Sequence, residues 1–376
     1  MRNGTRCSTS RAYLHPIRNR RNLHVRKRAQ VTRILMEAGR KRAYGVEFMR
    51  NGRKYTVTVR KEVIVSAGAI NSPHLLMVSG IGPASHLAEK RVPLVKDLPV
   101  GHNLMDHVAL GGLTFAINES VSLVTERIID DAAALNAYLT RHRGPLSVPG
   151  GTEALSFHEL QRPDPRARDG WPDLELLFIG GSLTSEATLR KSFGLSSTVY
   201  ERVYAATEGS DGLMIFPMAM RPRSRGRVLL RDANPLHAPL IRPNYFARAR
   251  DLDVLVAGVR LSQRLMRTRP MRRLGATLLR TPLPGCANLT FDTDEYWRCA
   301  ARQLPFTIYH LSGTCRMGAE DDPRAVVDPR LRVMGVRGLR VVDASVMPEI
   351  TSAHTNAPTI MTVSYTHLTL PTIYSV

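Results

Sequence analysis

The sequence lacks the features that mark several common protein classes. Its 376 residues contain no run that approaches the ~18–20 consecutive apolar residues of a membrane span, so we predict no membrane-spanning helix. It has no HExxH or similar histidine spacing, which predicts no metal site, and no GxSxG, which argues against a serine hydrolase. The four cysteines form no CxxC pair. Cys286 and Cys299 are close enough in sequence to pair in a secreted protein, and two free buried thiols are an equal alternative.

What is present indicates a folded protein with a basic bias. Apolar residues make up 43% of the chain, enough to fill the core of two domains or of one large unit with an insertion. The net charge is +21, and residues 1–61 hold 18 Lys and Arg but only two acids, Glu37 and Glu47. We interpret these basic side chains as lying on solvent-exposed strand faces, or as pairing with a part of the protein outside this chain. Binding to nucleic acid or to an anionic surface is the alternative, but no nucleic-acid motif accompanies the charges, so we predict no nucleic-acid partner.

The first part of the chain has the two-residue alternation of β-strands. We predict successive strands over residues 23–29, 31–37, 42–49, 54–60 and 62–68, as an antiparallel ribbon with a tight turn at Asn51-Gly52. A helix is then expected from His74, with Asn71 or Ser72 as its cap and Pro73 in its first turn. The sequence Ser-Gly-Ile-Gly-Pro at residues 79–83 ends it.

The middle of the chain predicts a second region. Residues 113–305 combine strands such as 174–179 and 213–220 with helical stretches at 129–141, 248–267 and 293–303. This pattern indicates one α+β region inserted between two parts of another domain. Residues 310–362 then return to Gly-punctuated turns, a strand ending in LRVVD, and a helix that starts after residues 354–358.

Three long stretches carry a resemblance to a known family. They are residues 68–82 (GAINSPHLLMVSGIG), residues 99–107 (PVGHNLMDH) and a block that begins at residues 309–318 (YHLSGTCRMG) and continues through 326–329, 338–348 and 352–358. In order and spacing they are similar to motifs of the glucose–methanol–choline (GMC) oxidoreductases. Residues 8–14 and 220–226 also resemble the insect members, glucose dehydrogenases among them. The likeness extends to about Thr362.

The resemblance implies an α/β plus α+β fold. A Rossmann-like, GMC-type FAD-binding domain would be interrupted by an α+β substrate-binding domain with an antiparallel sheet. The expected boundaries are 1–112 and 306–362 for the two parts of the FAD-binding domain and 113–305 for the substrate-binding domain.

Two departures from the family pattern stand at the ends of the chain. No GxGxxG occurs, so the unit that would hold the FAD pyrophosphate at a helix N-terminus is missing, and we expect an N-terminally truncated chain. After Thr362 the family continues with a charged helix. Residues 363–376 lack that pattern and contain Pro371, so we expect a non-native tail.

The resemblance also implies the chemistry and its residues. Family members oxidise a CH–OH donor, and the hydride goes to a cofactor, FAD, because no side chain takes a hydride. His310 and His354 match the two catalytic positions that face the flavin N5. One imidazole would accept the hydroxyl proton, and the other would orient the substrate oxygen. Insect relatives often carry Asn at the second position, so hydrogen bonding is the alternative role for His354.

Six further residues match positions near the cofactor. The backbone of Val31 would meet the adenine, and an ordinary strand valine is the alternative. Asp343 and Ala344 match a turn near the diphosphate and ribityl groups, and Thr355 and Asn356 match a helix start beside the isoalloxazine. Asn103 would border FAD or simply form a turn.

The implied partners are a small alcohol or sugar as donor and a quinone or oxygen as electron acceptor. The substrate itself is not fixed by a family likeness. Two other functions are weighed: a non-catalytic fragment unable to hold FAD, and a basic nucleic-acid-binding protein. Secretion is typical of many relatives, but the compartment stays open.

Overall fold

The computed structural model describes residues 1–148, 152–160, 170–185 and 187–369. Its strands are β1 (Gln30–Met36), β2 (Ala43–Arg50), β3 (Arg53–Thr58), β4 (Val63–Val65), β5 (Val108–Leu110), β6 (Thr114–Ala116), β7 (Ala154–His158), β8 (Leu174–Ile179), β9 (Gly212–Ala219), β10 (Arg227–Leu229), β11 (Leu240–Arg242), β12 (Thr277–Leu278), β13 (Pro305–Thr307) and β14 (Leu339–Val341). Its α-helices are α1 (Gly68–Val78), α2 (Ala84–Glu89), α3 (Thr125–Asp130), α4 (Ala132–Arg141), α5 (Ala187–Ser192), α6 (Ser197–Val203), α7 (Ala249–Met266), α8 (Arg269–Arg273), α9 (Asp294–Gln303) and α10 (Asn356–Thr369). A π-helical turn spans Ser10–Leu14, and 3₁₀ turns span Pro145–Ser147, Ala205–Thr207, Pro284–Cys286 and Ala344–Val346.

The chain forms two compact units, each built from separate segments. The large-sheet unit contains residues 1–25, the described parts of 108–219, and 249–306. The histidine unit contains residues 26–107, 220–248 and the described residues from 307 onward. Residues 220–248 therefore belong to the same unit as His310, whereas the sequence-based division groups them with the substrate-binding region. The functional assignment of the domains stays a prediction.

The predicted antiparallel ribbon forms in the histidine unit. β1 pairs with β2, and β2 pairs with β3, both antiparallel. Arg50 pairs with Arg53, so the turn between β2 and β3 has two residues, Asn51 and Gly52, with φ of 50° and 74°. Both positive φ values are what a tight hairpin turn needs, and Asn-Gly is the pair that tolerates them. The turn prediction is confirmed.

Two strand predictions in this region are wrong. Residues 23–29 form no strand, and most of their side chains are exposed, with Val25 among them. Their alternation of basic and apolar residues has no partner strand, and without a ladder the pattern alone does not hold a strand. β4 does form, but outside the ribbon. It pairs in parallel with β14, with Val63 opposite Leu339 and Val65 opposite Val341.

Helix α1 begins earlier than its sequence predicts. It starts at Gly68, so Pro73 lies inside it and Asn71 and Ser72 are not its caps. Proline has no N–H, which leaves the carbonyl of Ala69 without its helical donor. The hydroxyl of Thr314 donates to that carbonyl at 2.6 Å. A residue far along the chain therefore satisfies the acceptor that made an earlier start unfavourable.

The large-sheet unit is organised around one buried strand. Every residue of β9 is buried, and β9 has β8 on one edge and both β5 and β6 on the other, all antiparallel. α7 packs against β8 and β9, and α9 packs against α7. The helices predicted at 248–267 and 293–303 are α7 and α9, while the one predicted at 129–141 is split into α3 and α4 by Asp131, which caps α4.

The structure decides between the two alternatives for Cys286 and Cys299. Cys286 and Cys299 form a disulfide with an S–S distance of 2.01 Å, whereas Cys7 and Cys315 are free thiols. Burial raises the pKa of the Cys315 thiol, so it stays protonated.

The architecture confirms the predicted fold class: a mixed α/β fold with an antiparallel sheet. In the described ranges, no helix combines the length and the apolar composition of a membrane span. α10 continues to Thr369, seven residues into the predicted non-native tail, and the rest of that tail, 370–376, lies outside the described residues.

Candidate active site

His310 lies in a segment that runs antiparallel to residues 105–107 of the same unit. The backbone of Met105 donates to Ser312 at 3.0 Å and accepts from it at 2.9 Å. His107 is two residues after Met105 and His310 is two residues before Ser312, so this antiparallel register places the two histidines opposite each other. Their Nδ1 atoms are 2.9 Å apart, a hydrogen-bond distance.

Asp106 holds the backbone of the same segment. Its Oδ1 accepts the backbone N–H of His310 at 3.2 Å, and its Oδ2 accepts the hydroxyl of Tyr245. Burial raises the pKa of Asp106 to about 6, against hydrogen bonds from Thr307, Tyr245 and the backbones of His310 and His107 that favour the carboxylate. Adjacent residues thus fix both the main chain and the ring of His310.

His354, the second predicted catalytic residue, lies against the first. The ring centroids of His310 and His354 are 4.7 Å apart and their planes cross at 78°. His354 lies two positions before Asn356, the first residue of α10, whereas His310 lies between β13 and β14. The fold therefore brings together two side chains 44 positions apart in sequence, which spacing alone could not establish.

The setting of His310 keeps its imidazole neutral. Its residue is only 8% exposed. Burial and, to a smaller extent, the neighbouring rings of His107 and His354 lower the pKa of His310 to about 3. At neutral pH the ring is unprotonated, so one of its nitrogens carries a lone pair that can accept a proton or a hydrogen bond.

An open cavity of about 520 Å³ lies beside His310. It is lined by residues from the start of α1, the His310 segment and the start of α10, most of them small or aliphatic. The lining residues are Ala67, Gly68, Ala69, Ile70, Ile308, Tyr309, His310, Leu311, Ala344, Thr355, Asn356 and Thr359. Three of the predicted cofactor contacts, Ala344, Thr355 and Asn356, are among them.

The walls of this cavity allow a flat ligand to reach the backbone. Gly68 has φ of 84°, and a side-chain carbon built on it would meet nothing within 4 Å, so open space adjoins its backbone. Ala344 presents only a methyl group. The first amides of α10 lack carbonyl partners within the helix, and helix N-termini favour electron-rich groups. These features fit the isoalloxazine end of FAD.

Asp343 lies behind the cavity wall and is not among its lining residues. Its carboxylate accepts the backbone N–H of Gly68 at 2.9 Å, the hydroxyl of Ser72, and the backbone N–H of Ser345 at 2.8 Å. It therefore caps the start of α1 and the 3₁₀ turn that carries Ala344. In the structure, Asp343 therefore holds the backbone at Gly68 and Ser345. Its direct contact with FAD stays a prediction.

Asn103 and Val31 also lie outside the cavity lining. Asn103 has φ of 60°, its amide donates to the carbonyls of Gly313 at 3.3 Å and Pro348 at 3.4 Å, and its oxygen accepts from Arg225 at 3.0 Å. It joins three segments, and its contact with FAD stays a prediction. Val31 is a residue of β1 paired with Phe48. Its contact with the adenine stays a prediction.

The sequence motifs contained more of the site than we assigned from them. Asp106 and His107 end the matched stretch 99–107, but we gave them no role. A buried acid and histidine next to each other inside a motif was the available signal. Tyr245 offers no such signal, because only the fold brings it to Asp106. In the described part of the chain, no group of three or more His, Cys, Asp or Glu side chains is placed to hold a metal ion.

Comparison with known proteins agrees with the motifs. Residues 1–109 match the N-terminal and residues 222–362 the C-terminal sequence pattern described as GMC oxidoreductase. Glucose dehydrogenase [FAD, quinone] of Drosophila pseudoobscura pseudoobscura is 40% identical over 369 residues, which cover 96% of this chain and 55% of the relative. The chain thus spans little more than half the length of that relative.

Solved structures show the same architecture. Pyridoxine 4-oxidase from Mesorbium loti matches with a TM-score of 0.76 and 25% identity, covering 98% of this chain and 62% of that one. Formate oxidase from Aspergillus oryzae RIB40 matches with a TM-score of 0.77 and 25% identity, covering 93% and 61%. With both family patterns matched in order and relatives aligned along nearly its whole length, the chain belongs to the GMC oxidoreductase family.

Proposed function

We propose that this chain carries the active-site portion of an FAD-dependent oxidoreductase that acts on the CH–OH group of an alcohol or a sugar. The observation that carries the proposal is the pair of facing imidazoles, His310 and His354, with His310 at the wall of a cavity whose small residues admit a flat ring. Family membership and relatives named for FAD and for glucose or pyridoxine support the same chemistry.

Different residues of the cavity wall would contact different parts of the cofactor. Gly68 and Ala344 would let the ring approach the backbone, and the N-terminal amides of α10 at Thr355 and Asn356 would face its electron-rich edge. FAD, when bound, supplies at N5 the hydride acceptor that no side chain can provide.

His310 would act as the base. Its neutral ring accepts the hydroxyl proton of the donor as the hydride leaves the carbinol carbon. The low pKa in the free site does not prevent this, because negative charge developing on the substrate oxygen beside the ring favours its protonated form. His354 would hydrogen-bond the same oxygen and orient it. A quinone or oxygen would then take the electrons from the cofactor.

A spectroscopic experiment tests the proposal on the chain as it is. The purified chain is titrated with FAD and its visible spectrum is recorded, and alcohols and sugars are then added without oxygen. We expect a bound-flavin spectrum that bleaches with at least one CH–OH donor. The matched variant His310→Ala should keep the flavin spectrum and lose the bleaching.

Two results would contradict the proposal in different ways. A chain that stays colourless and does not respond to FAD would be the non-catalytic fragment considered above. A chain that binds FAD but is bleached by no CH–OH donor would hold the cofactor for another purpose. After bleaching, reoxidation by a quinone analogue or by air separates the two electron acceptors.

A further inference from the structure

His107 is a buried histidine that the proposed reaction does not use. It is 0% exposed and does not line the cavity, so it cannot meet a substrate there. Both of its ring nitrogens are nevertheless engaged. Nε2 lies 3.1 Å from the carbonyl oxygen of Met220, and Nδ1 lies 2.9 Å from Nδ1 of His310.

These two contacts fix where the protons are. A carbonyl oxygen only accepts, so Nε2 of His107 must carry a proton and donate it to Met220. A neutral imidazole has one N–H, which leaves Nδ1 of His107 as an acceptor. The short contact to His310 then requires an N–H on Nδ1 of His310. The lone pair of His310 is consequently on Nε2.

The deduction needs a neutral His107. Burial, with a smaller contribution from the neighbouring His354, lowers the pKa of His107 to about 4, although hydrogen bonds to the carbonyls of Met220 and Thr351 favour the charged ring. At neutral pH only one of its nitrogens is therefore protonated.

We infer that His107 is a positioning residue that holds His310 in the Nδ1–H tautomer and so presents its Nε2 lone pair as the proton acceptor. The inference deepens the proposed function and rests on it for its catalytic meaning. A neutral histidine with no such partner populates both tautomers, and in the other tautomer Nε2 is protonated and cannot act as the base.

The fold explains why residue 107 can do this. The antiparallel pairing of Met105 with Ser312 sets the register, and Asp106 fixes the backbone of His310 within it. Because the register and the backbone are fixed independently of the rings, a change at His107 alters the ring contact without removing the support of the loop.

Nitrogen NMR on the chain tests the inference without FAD or substrate. In protein with ¹⁵N-labelled histidine, the shifts of each ring report which nitrogen is protonated, and His310→Gln identifies the His310 signals. We expect His310 to be protonated at Nδ1 and unprotonated at Nε2. We also expect a scalar coupling between the Nδ1 atoms of His310 and His107, since they share one proton.

Three variants make the test specific. His107→Phe keeps the ring shape but removes the acceptor, so His310 should populate both tautomers. His107→Asn restores an acceptor oxygen near the position of Nδ1 and should restore the single tautomer. His102→Phe is the matched control in the same segment, because His102 lies near Arg227 and His86, and it should leave His310 unchanged.

The outcomes separate clearly. A His310 protonated at Nε2 in the parent chain, or an unchanged tautomer in a folded His107→Phe, would overturn the inference. If circular dichroism shows that His107→Phe does not fold, the parent's tautomer and the coupling between the two rings decide the matter alone.

A kinetic arm distinguishes this inference from the proposed function. In chain loaded with FAD, His107→Phe should lower kcat by only a few-fold with KM nearly unchanged, because part of the His310 population would still present an unprotonated Nε2. If the parent has the expected tautomer but oxidises no CH–OH donor, the proposed function fails while the assignment of the protons stands. Unchanged kcat in an active His107→Phe would remove the catalytic meaning of His107.

Discussion

His310 and His354 both match catalytic motif positions, but their surroundings in the structure differ. His310 is held at its backbone by Asp106 and at its ring by His107, and it is almost completely buried. His354 is half-buried two positions before the first residue of α10, near the exposed Ala353 and Asn356. A base must present one particular nitrogen, whereas a hydrogen-bonding group can adjust. We therefore propose that His310, whose backbone and ring are both held, accepts the proton, and that His354 orients the substrate oxygen.

The largest expected effect compares the two rings directly. In FAD-loaded chain, His310→Ala should lower kcat by ~10²–10⁴-fold, the range for loss of a general base. His354→Asn keeps a hydrogen-bonding side chain, so kcat should fall by no more than ~10-fold, about the 1.4 kcal/mol that complete loss of one hydrogen bond would cost. Anaerobic bleaching rates measure both. Equal losses would contradict the division of roles.

The anchoring of the His310 segment can be tested at Gly313. It has φ of 87°, and a side-chain carbon there would lie 2.5 Å from the carbonyl oxygen of Asn103 and from Cε of Met105. Gly313→Ala should therefore destabilise the folded chain by ~1–3 kcal/mol, because both backbone strain and a clash are introduced. Thermal unfolding measures the change. Ala353→Gly, beside His354 on an exposed position, is the matched control and should shift stability much less.

If Gly313→Ala is as stable as the parent chain, the His310 segment is not rigidly held. The contrast between the two rings would then need another explanation.

The remaining expected effect is the dependence of stability on pH. The folded pKa values of His310, about 3, and of His107, about 4, lie below the unfolded value of 6.5. The stability that these rings contribute is present above pH 6.5 and is lost as pH falls towards those values. Asp106, raised to about 6, acts oppositely: its contribution is present below pH 3.8 and is lost as pH rises through 6.

Between pH 4 and 6 the unfolded chain therefore binds about one more proton than the folded chain at these three groups. As a result, the free energy of unfolding should rise by ~1.4 kcal/mol per pH unit. His107→Phe removes one histidine and should flatten the slope by about that amount. Urea unfolding at several pH values measures it for the parent and the variant. The other histidines with lowered pKa, His74, His86 and His102, cancel in the difference. Parallel slopes in the two proteins would contradict a neutral, buried His107.

The sequence correctly predicted those elements that depend on interactions between residues close together in the chain. The hairpin at Asn51-Gly52 was predictable because both residues tolerate positive φ. α7 and α9 followed from helical periodicity. Residues 23–29 show the limit of that approach, since their alternation is typical of a strand but no partner strand lies beside them. The start of α1 shows it too, because Thr314 compensates for Pro73 from a distant segment.

By itself, then, the sequence determined the family and the fold class and predicted the two catalytic histidines, because motifs record residue types in a fixed order. Only the tertiary structure decided what surrounds them. It set β4 beside β14, made Asp343 a cap for α1, and placed His107 against His310. The physical reason is that each of these contacts joins residues far apart in the chain. Strand register and burial fix such contacts, and no local pattern encodes them.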